Sequence, residues 1–308
     1  MWTEDAVRHL EAKGFKASCL PFARMKDIRR DLDSLLEDGA LVESFYEMHL
    51  TEFKYDGPDG LPNPNSVIVI SQAHPALRTS FVVEGRRMEA IVPPGFGCHT
   101  KMVQKAKDVL NGFAPGHRFE FVPLPLKTLA ARSGLARYGR NNVTYVEGFG
   151  SFHRLTALAT DLECESDRWG ERRMMERCEK CTTCVKVCPT RSIRTDRFLI
   201  NGETCLTNLN EMPPDVPFPP TLDPKMHNAI VGCMICQMKC PENRMFARFI
   251  EDRPGFDENE TNYLLKGDFS DEKKAKAMDE RLMMVGLDLT IFPRTLVGLI
   301  EGERARTG

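Results

Sequence analysis

Apolar and polar positions follow a helical period twice near the start of the chain. Glu4 to Gly14 has that character and stops at Gly14, a residue suited to the left-handed turn that ends a helix. Met25 to Leu41 repeats it, with Ile28, Leu32, Leu35 and Leu36 at helical spacing. Asp56 to Asn65 holds three Pro, two Gly and two Asn and predicts a loop. Ser66-Val-Ile-Val-Ile-Ser71 is an apolar run of strand length, and Ser80 to Val83 is a second candidate strand. Pro93 to Gly97 predicts a turn feeding a helix from His99 to Leu110. Arg118 to Val122 alternates as a strand does, and Leu126 to Ser133 is helical up to Gly134. Strand and helix taking turns argue for an α/β layer of roughly 160 residues. From Arg177 to Arg244 the pattern gives way to Cys, Pro and short elements, and the tail is helical over Asp271 to Met284 and Ile291 to Glu301. The expected segments are residues 1–165, 166–250 and 251–308, with no low-complexity linker between them.

Composition changes this picture in one respect. Hydrophobic residues are 42% and charged residues 28% of the 308, and the net charge is −2. That leaves no global basic field for nucleic acid or an anionic membrane. No apolar run approaches the roughly 20 residues of a membrane span. Met1 to Phe22 carries Glu4, Asp5, Arg8, Glu11 and Lys13, which is no secretory signal. The expectation is a soluble cytoplasmic protein with no membrane partner. Eleven cysteines are the anomaly, and eight of them fall between Cys178 and Cys240. Clustered thiols in a reducing compartment read as metal ligands before disulfides.

Cys178-x2-Cys181-x2-Cys184-x3-Cys188-Pro189 has the bacterial ferredoxin spacing for iron–sulfur ligation. Three thiolates at two-residue gaps wrap one corner of a cubane, and the fourth serves the other cluster. Cys233-x2-Cys236-x3-Cys240-Pro241 is a second copy, one Cys short, and Cys205 lies between the copies to complete it. The exchange rule assigns Cys178, Cys181, Cys184 and Cys240 to one [4Fe–4S] cluster. Cys188, Cys205, Cys233 and Cys236 go to the other. Four-cysteine zinc sites are the alternative, but they seldom carry this x2-x2-x3-Pro order. Cys19, Cys98 and Cys164 have no such spacing and read as buried small residues.

With these motifs the chain resembles the epoxyqueuosine reductases and reductive dehalogenases, corrinoid-dependent reductases with two [4Fe–4S] clusters, over most of residues 60 to 265. The resemblance also rests on Ser66 to Ser71 as an early buried strand and on the Ala- and Gly-rich Leu129 to Asn142. Phe149-Gly150-Ser151, Thr160-Asp161-Leu162 as a strand leading to the cluster region, the solitary Cys205 and Ile230 to Gln237 agree as well. It implies an α+β chain: a nitroreductase-like α/β domain holding base-off cobalamin, then a bacterial ferredoxin-like domain with two [4Fe–4S] clusters, then a short helical tail. It implies Gly139, Asn141, Asn142, Gly150 and Ser151 as cofactor-binding residues, on a glycine-dotted segment whose backbone approaches a flat cofactor. Ordinary turns are the alternative.

The resemblance further implies a catalytic acid three residues before a Pro. Pro123 puts Glu120 there, one methylene longer than the family's Asp, and Tyr138 is the other proton-donor candidate. A solvated strand residue and a packed aromatic are the competing readings. His99 and His153 read as satisfied residues rather than ligands. Lys127, Arg132, Arg137 and Arg140 are candidates for an anionic tail or a solvated helix face, and Arg172, Arg173 and Arg177 for offsetting cubane charge. The family's Gly-Arg-Asp-Tyr-His segment is here Gly95-Phe96-Gly97-Cys98-His99. The C-terminal helical-repeat domain that grips tRNA is expected to be lacking.

The expected protein is an oxygen-sensitive enzyme, an iron–sulfur oxidoreductase. It would pass electrons from a ferredoxin or flavodoxin-type donor through two clusters to a cobalamin that reduces a small organic or modified-nucleoside substrate. The alternatives are an electron-transfer protein without corrinoid, and an epoxyqueuosine reductase acting on tRNA, which the net charge places last.

Overall fold

The computed structural model describes residues 2–96, 99–246, 248–284, 287, 289 and 292–307. Along the chain the elements are α1 (Thr3–Ala12), β1 (Lys16–Pro21), α2 (Met25–Glu37), α3 (Glu43–His49), β2 (Ser66–Ala73), β3 (Ala76–Val83) and β4 (Arg86–Val92). Then come α4 (His99–Phe113), β5 (Phe119–Phe121), α5 (Leu126–Arg132), β6 (Ala136–Tyr138), β7 (Thr144–Val146) and β8 (His153–Thr160). Short helices α6 (Thr183–Val187), α7 (Leu206–Glu211) and α8 (Ile235–Met238) follow. The chain finishes with β9 (Ile250–Asp252), α9 (Glu258–Lys266), α10 (Glu272–Met283) and α11 (Phe292–Thr307). It divides into two units, Met1–His74 with His99–Cys181, and Pro75–Cys98 with Thr182–Gly308. Segment 75–98 thus goes with 182–308, a division drawn differently from the three sequence segments.

In the first unit β2 is apolar on both faces, so it must lie inside a covered sheet. The sheet order is β1-β2-β8-β5. Val67 and Val69 pack with Met25 and Ile28 of α2 and with Leu129 and Ala130 of α5. On the other face Ile68 and Ile70 meet Ala6 and Leu10 of α1 and Met102, Ala106 and Leu110 of α4. The helices end where glycine punctuation predicts, with Gly14 at φ +87° and Gly134 at φ +75°. Strands and helices do take turns, yet every pairing in this sheet is antiparallel. Strand β1, which the sequence reading left out, pairs with β2 from the edge. The strand expected at Thr160-Asp161-Leu162 instead ends at Thr160. Asp161 turns its carboxylate onto the Arg118 N–H at 3.2 Å, outside any ladder.

In the second unit the sheet order is β4-β3-β9, with β9 parallel to β3. Its core centres on Phe81, whose ring stacks on Phe256 at 5.0 Å and tilts against Phe292 at 5.4 Å. Leu264, Leu282 and Leu296 of the three C-terminal helices close over them. Helix α9 starts with a reciprocal cap: Asp257 accepts from the Glu260 N–H and Glu260 from the Asp257 N–H, both at 2.9 Å. Among the described residues no helix is long and apolar enough to cross a membrane.

Two outcomes follow from these cores. Phe81→Ala should cost about 3–5 kcal/mol in denaturant unfolding, against little for the exposed Val297→Ala; equal midpoints would deny Phe81 its central place. His153 is buried, with Nε2 donating to the Thr144 carbonyl at 3.0 Å. Burial, reinforced by Lys127 and opposed by that hydrogen bond, pushes its pKa down to about 4. The unfolded imidazole takes a proton that the folded one refuses, so stability falls as pH drops from about 6.5 toward 4. His153→Gln should flatten that part of the urea-midpoint profile relative to the parent.

Candidate iron–sulfur site

Within the second unit the cysteines sit on turns and very short helices, which have few ladder hydrogen bonds of their own. Helix α6 packs on α8. Cys188 follows α6, Cys205 caps the start of α7, and Cys236 lies in α8 two residues past its Met234 cap. Burial raises the Cys233 pKa, and the Cys205 and Cys188 thiols add to the rise, so Cys233 feels both of those thiols. Asn228 brackets Cys233. Its Nδ2 donates to Cys233 Sγ at 3.4 Å and to the Met226 carbonyl at 3.0 Å, while its Oδ1 accepts from the Met234 N–H at 3.1 Å. Asn210, fully buried on α7, donates to the Gly232 carbonyl at 2.7 Å. Gly232 itself has φ +62°, and a Cβ there would press on Pro93 at 3.1 Å. Beyond Cys240, buried Asn243 donates to the Gln237 carbonyl at 2.9 Å. An apolar cavity of about 220 Å³, lined by Asn228, Met234, Ile235 and Met238 among others, lies against α8.

In the first unit Cys178 is buried in a tight turn before Cys181. Arg140 lays its guanidinium over that turn, donating to the carbonyls of Cys178, of Cys181 at 3.2 Å and of Glu179 at 3.4 Å. The segment leading into it is stitched to β6, since Tyr138 N donates to Arg173 O at 3.0 Å and Met175 N to Tyr138 O at 2.9 Å. Arg132 is engaged too. It forms a fork with Asp31 at 2.6 and 2.7 Å, donates to Gly170 O at 3.0 Å and stacks on Trp169 at 4.7 Å. Neither arginine is the solvated or anion-binding residue the sequence offered. Arg137 stays on the surface 3.5 Å from Glu176, Arg173 lies 3.6 Å from Glu171, and Arg172 is 4.0 Å from Asp31.

The proton-donor candidates lie on different sheets. Tyr138 is 5% exposed, with its hydroxyl 3.3 Å from Thr128 Oγ1, and burial raises its pKa. Glu120 sits half-buried on the edge strand β5, its carboxylate 2.8 Å from Lys107 Nζ. His99 is 3.2 Å from Thr156 Oγ1, and burial, with Arg154 adding, pushes its pKa down. Gly97 and Cys98 lie outside the described residues.

The residues carried over for a corrin close on one another. A Cβ on Gly139 would meet Asn141 Oδ1 at 2.5 Å and Tyr145 Cε2 at 2.6 Å, so the glycine is required by its own segment. Asn141 donates to the Tyr145 hydroxyl at 3.2 Å, and Asn141 and Ser151 are each only 4% exposed. Asn142 holds φ +59° and Gly150 φ +57° in the turns between. Gly139, Asn141 and Ser151 are thus packed within their own segment.

The cysteine turns coincide with a recognised domain: residues 177–243 match the 4Fe-4S double cluster binding domain. A protein of Cyclobacterium marinum named epoxyqueuosine reductase is 35% identical over 126 residues, 40% of this chain and 38% of that protein. The matched part is thus well under half of that relative's length. The structure of epoxyqueuosine reductase from Streptococcus thermophilus superposes with a TM-score of 0.67 at 20% identity, covering 99% of this chain and 82% of that one. A crystal structure of epoxyqueuosine reductase with an epoxyqueuosine-modified tRNA stem loop gives a TM-score of 0.63 at 18% identity, with 99% and 82% covered. The chain is thus similar to epoxyqueuosine reductases over about 40% of its length in sequence, shares their fold, and carries a 4Fe–4S double cluster binding domain.

Proposed function

We propose that this chain is an iron–sulfur reductase that acts on a modified nucleoside in tRNA. Its clusters would be held by Cys178, Cys181, Cys184 and Cys240 and by Cys188, Cys205, Cys233 and Cys236. The observation that carries the reading is the coincidence of these eight thiols with the double-cluster match, in a chain similar throughout to epoxyqueuosine reductases. When bound, the cubanes supply one-electron carriage from a ferredoxin or flavodoxin-type donor. The chain's own residues do the rest. Arg140 fixes the carbonyls of the Cys178 turn, and Asn210 and Asn243 fix those around Cys233 and Cys240. Asn228 donates to the Cys233 sulfur and so favours the more negative, reduced state. Removing an epoxide oxygen as water takes a pair of electrons and a pair of protons. Tyr138, hydrogen-bonded to Thr128, and Glu120, paired with Lys107, are the two candidate proton sources.

No step is assigned to cobalamin. The nitroreductase-like character of the first unit belongs to this proposal, supported by helices on both faces of its sheet. A cytoplasmic location does too, because free thiolate ligands call for a reducing compartment. Net charge had placed tRNA last among the substrates. The stem loop held by a structural neighbour reverses that order.

Anaerobic preparation should give about eight iron per chain. With a chemical reductant, epoxyqueuosine-bearing tRNA should lose one oxygen in nucleoside mass spectrometry. Full iron with no loss of oxygen would leave an electron carrier and end the reductase reading. Cys205→Ser should drop iron to about four per chain, and unchanged iron would remove Cys205 from the ligands. Asn228→Leu should keep the iron and lower one cluster potential. The size should be on the order of the roughly 59 mV that a tenfold one-electron change represents.

A further inference from the structure

Three of the eleven cysteines are left over from the cluster motifs, and the fold brings two of them together. Cys19 lies in β1, Cys164 follows β8, and α1 begins beside both with Thr3 and Glu4. One donor atom each from Glu4, Cys19 and Cys164 lies within 4.8 Å of the other two. We propose that Glu4, Cys19 and Cys164 bind one thiophilic divalent cation, zinc by the chemistry of the donors, apart from the iron–sulfur cysteines.

The geometry is the first argument. Zinc at about 2.3 Å from sulfur and 2.0–2.2 Å from oxygen, in a tetrahedron, sets its donors roughly 3.5–3.8 Å apart, inside the spread found here. Thr3 Oγ1 lies 3.3 Å from both Cys164 Sγ and Glu4 Oε2 and offers the remaining corner, directly or through a water. Spacing could not have shown this, because the donors come from three separate elements.

Burial and charge are the second. Thr3, Glu4 and Cys19 are 0%, 4% and 1% exposed. The partners of the Glu4 carboxylate are backbone N–H groups, Glu165 at 2.9 Å and Ser166 at 3.2 Å, together with the Thr3 hydroxyl. Burial opposes its ionisation, and those hydrogen bonds outweigh it, so its pKa is held below the usual carboxylate range. A buried carboxylate is thus held beside two thiols by backbone donors, as ligating carboxylates are oriented in metal sites, and among the described residues no Lys or Arg pairs with it. Cys164 is only half-buried and gives the cation a way in. Its thiol is hydrogen-bonded to that of Cys19. Binding would release the thiol protons to solvent and leave two thiolates and one carboxylate on the metal. The metal would tie the first turn of α1 to the chain leaving β8.

The test uses the anaerobically prepared chain with its iron in place, incubated with one equivalent of zinc and passed over a desalting column. The expected result is about one zinc per chain beside unchanged iron. X-ray absorption should show two sulfurs near 2.3 Å and oxygen in the remaining positions. The Cys19→Ser/Cys164→Ser double variant should lose the zinc and keep the iron. If that variant fails to fold, Glu4→Gln, which keeps an acceptor for the backbone donors, should weaken zinc by at least about tenfold. Zinc in an all-sulfur shell, zinc retained at full strength by the variants, or a Cys19–Cys164 disulfide in the anaerobic protein would each overturn the proposal.

Discussion

The cysteine turns contain too little regular backbone to hold themselves, and that constraint shapes what surrounds them. Helices α6 and α8 span only Thr183–Val187 and Ile235–Met238, below the length at which a helix is stable by itself. Their carbonyls and thiols are fixed by side chains from within the same unit. Arg140 covers the Cys178 turn, Asn210 takes Gly232, Asn228 brackets Cys233, and Asn243 takes Gln237. Each of these is a side-chain donor spent on a backbone or sulfur acceptor that no ladder satisfies. Asn210 and Asn243 do this fully buried, where losing the bond leaves an unsatisfied group rather than a solvated one.

The same constraint explains how much of the fold was legible. Helices α1, α2, α5 and α10 show in the sequence because each presents one apolar stripe and a clear stop, such as Gly14 or Gly134. Strand β2 shows because it is apolar on both faces. Strand β1, Lys-Ala-Ser-Cys-Leu-Pro, is short and mixed, and only its partner β2 makes it a strand. Segment 75–98 is likewise local hairpin in sequence, yet its third strand, β9, comes from far along the chain, and no periodicity reports that.

The candidate site divides in the same way. The eight cysteines are legible because the chemistry is written in their spacing. Their supports are not, since an Asn or Arg reaching a carbonyl tens of residues away leaves no local pattern. Arg140 and Arg132 looked like a basic face and turned out to be internal clamps, one on the Cys178 turn and one on Asp31 and Gly170. Glycine was ambiguous for a related reason. Gly139 is obligatory within its own segment, because a Cβ there would meet Asn141 and Tyr145.

Net charge is a weak guide to a polyanionic partner for a reason that is itself physical. A whole-chain sum of −2 says little when many of the cations are already paired, as Arg132 is with Asp31 and Arg78 with Asp252. What a polyanion meets is the local field, which decays over about 10 Å at moderate salt. Residues 177 to 197 carry Arg177, Lys180, Lys186, Arg191, Arg194 and Arg197 against Glu179 and Asp196, a locally positive stretch around the first motif. Cubane–thiolate groups are anionic, so part of that positive charge offsets them and only the exposed remainder is open to phosphate. Lys180, Lys186 and Arg191 are exposed. The total charge therefore says nothing about this stretch, where the local sign is reversed.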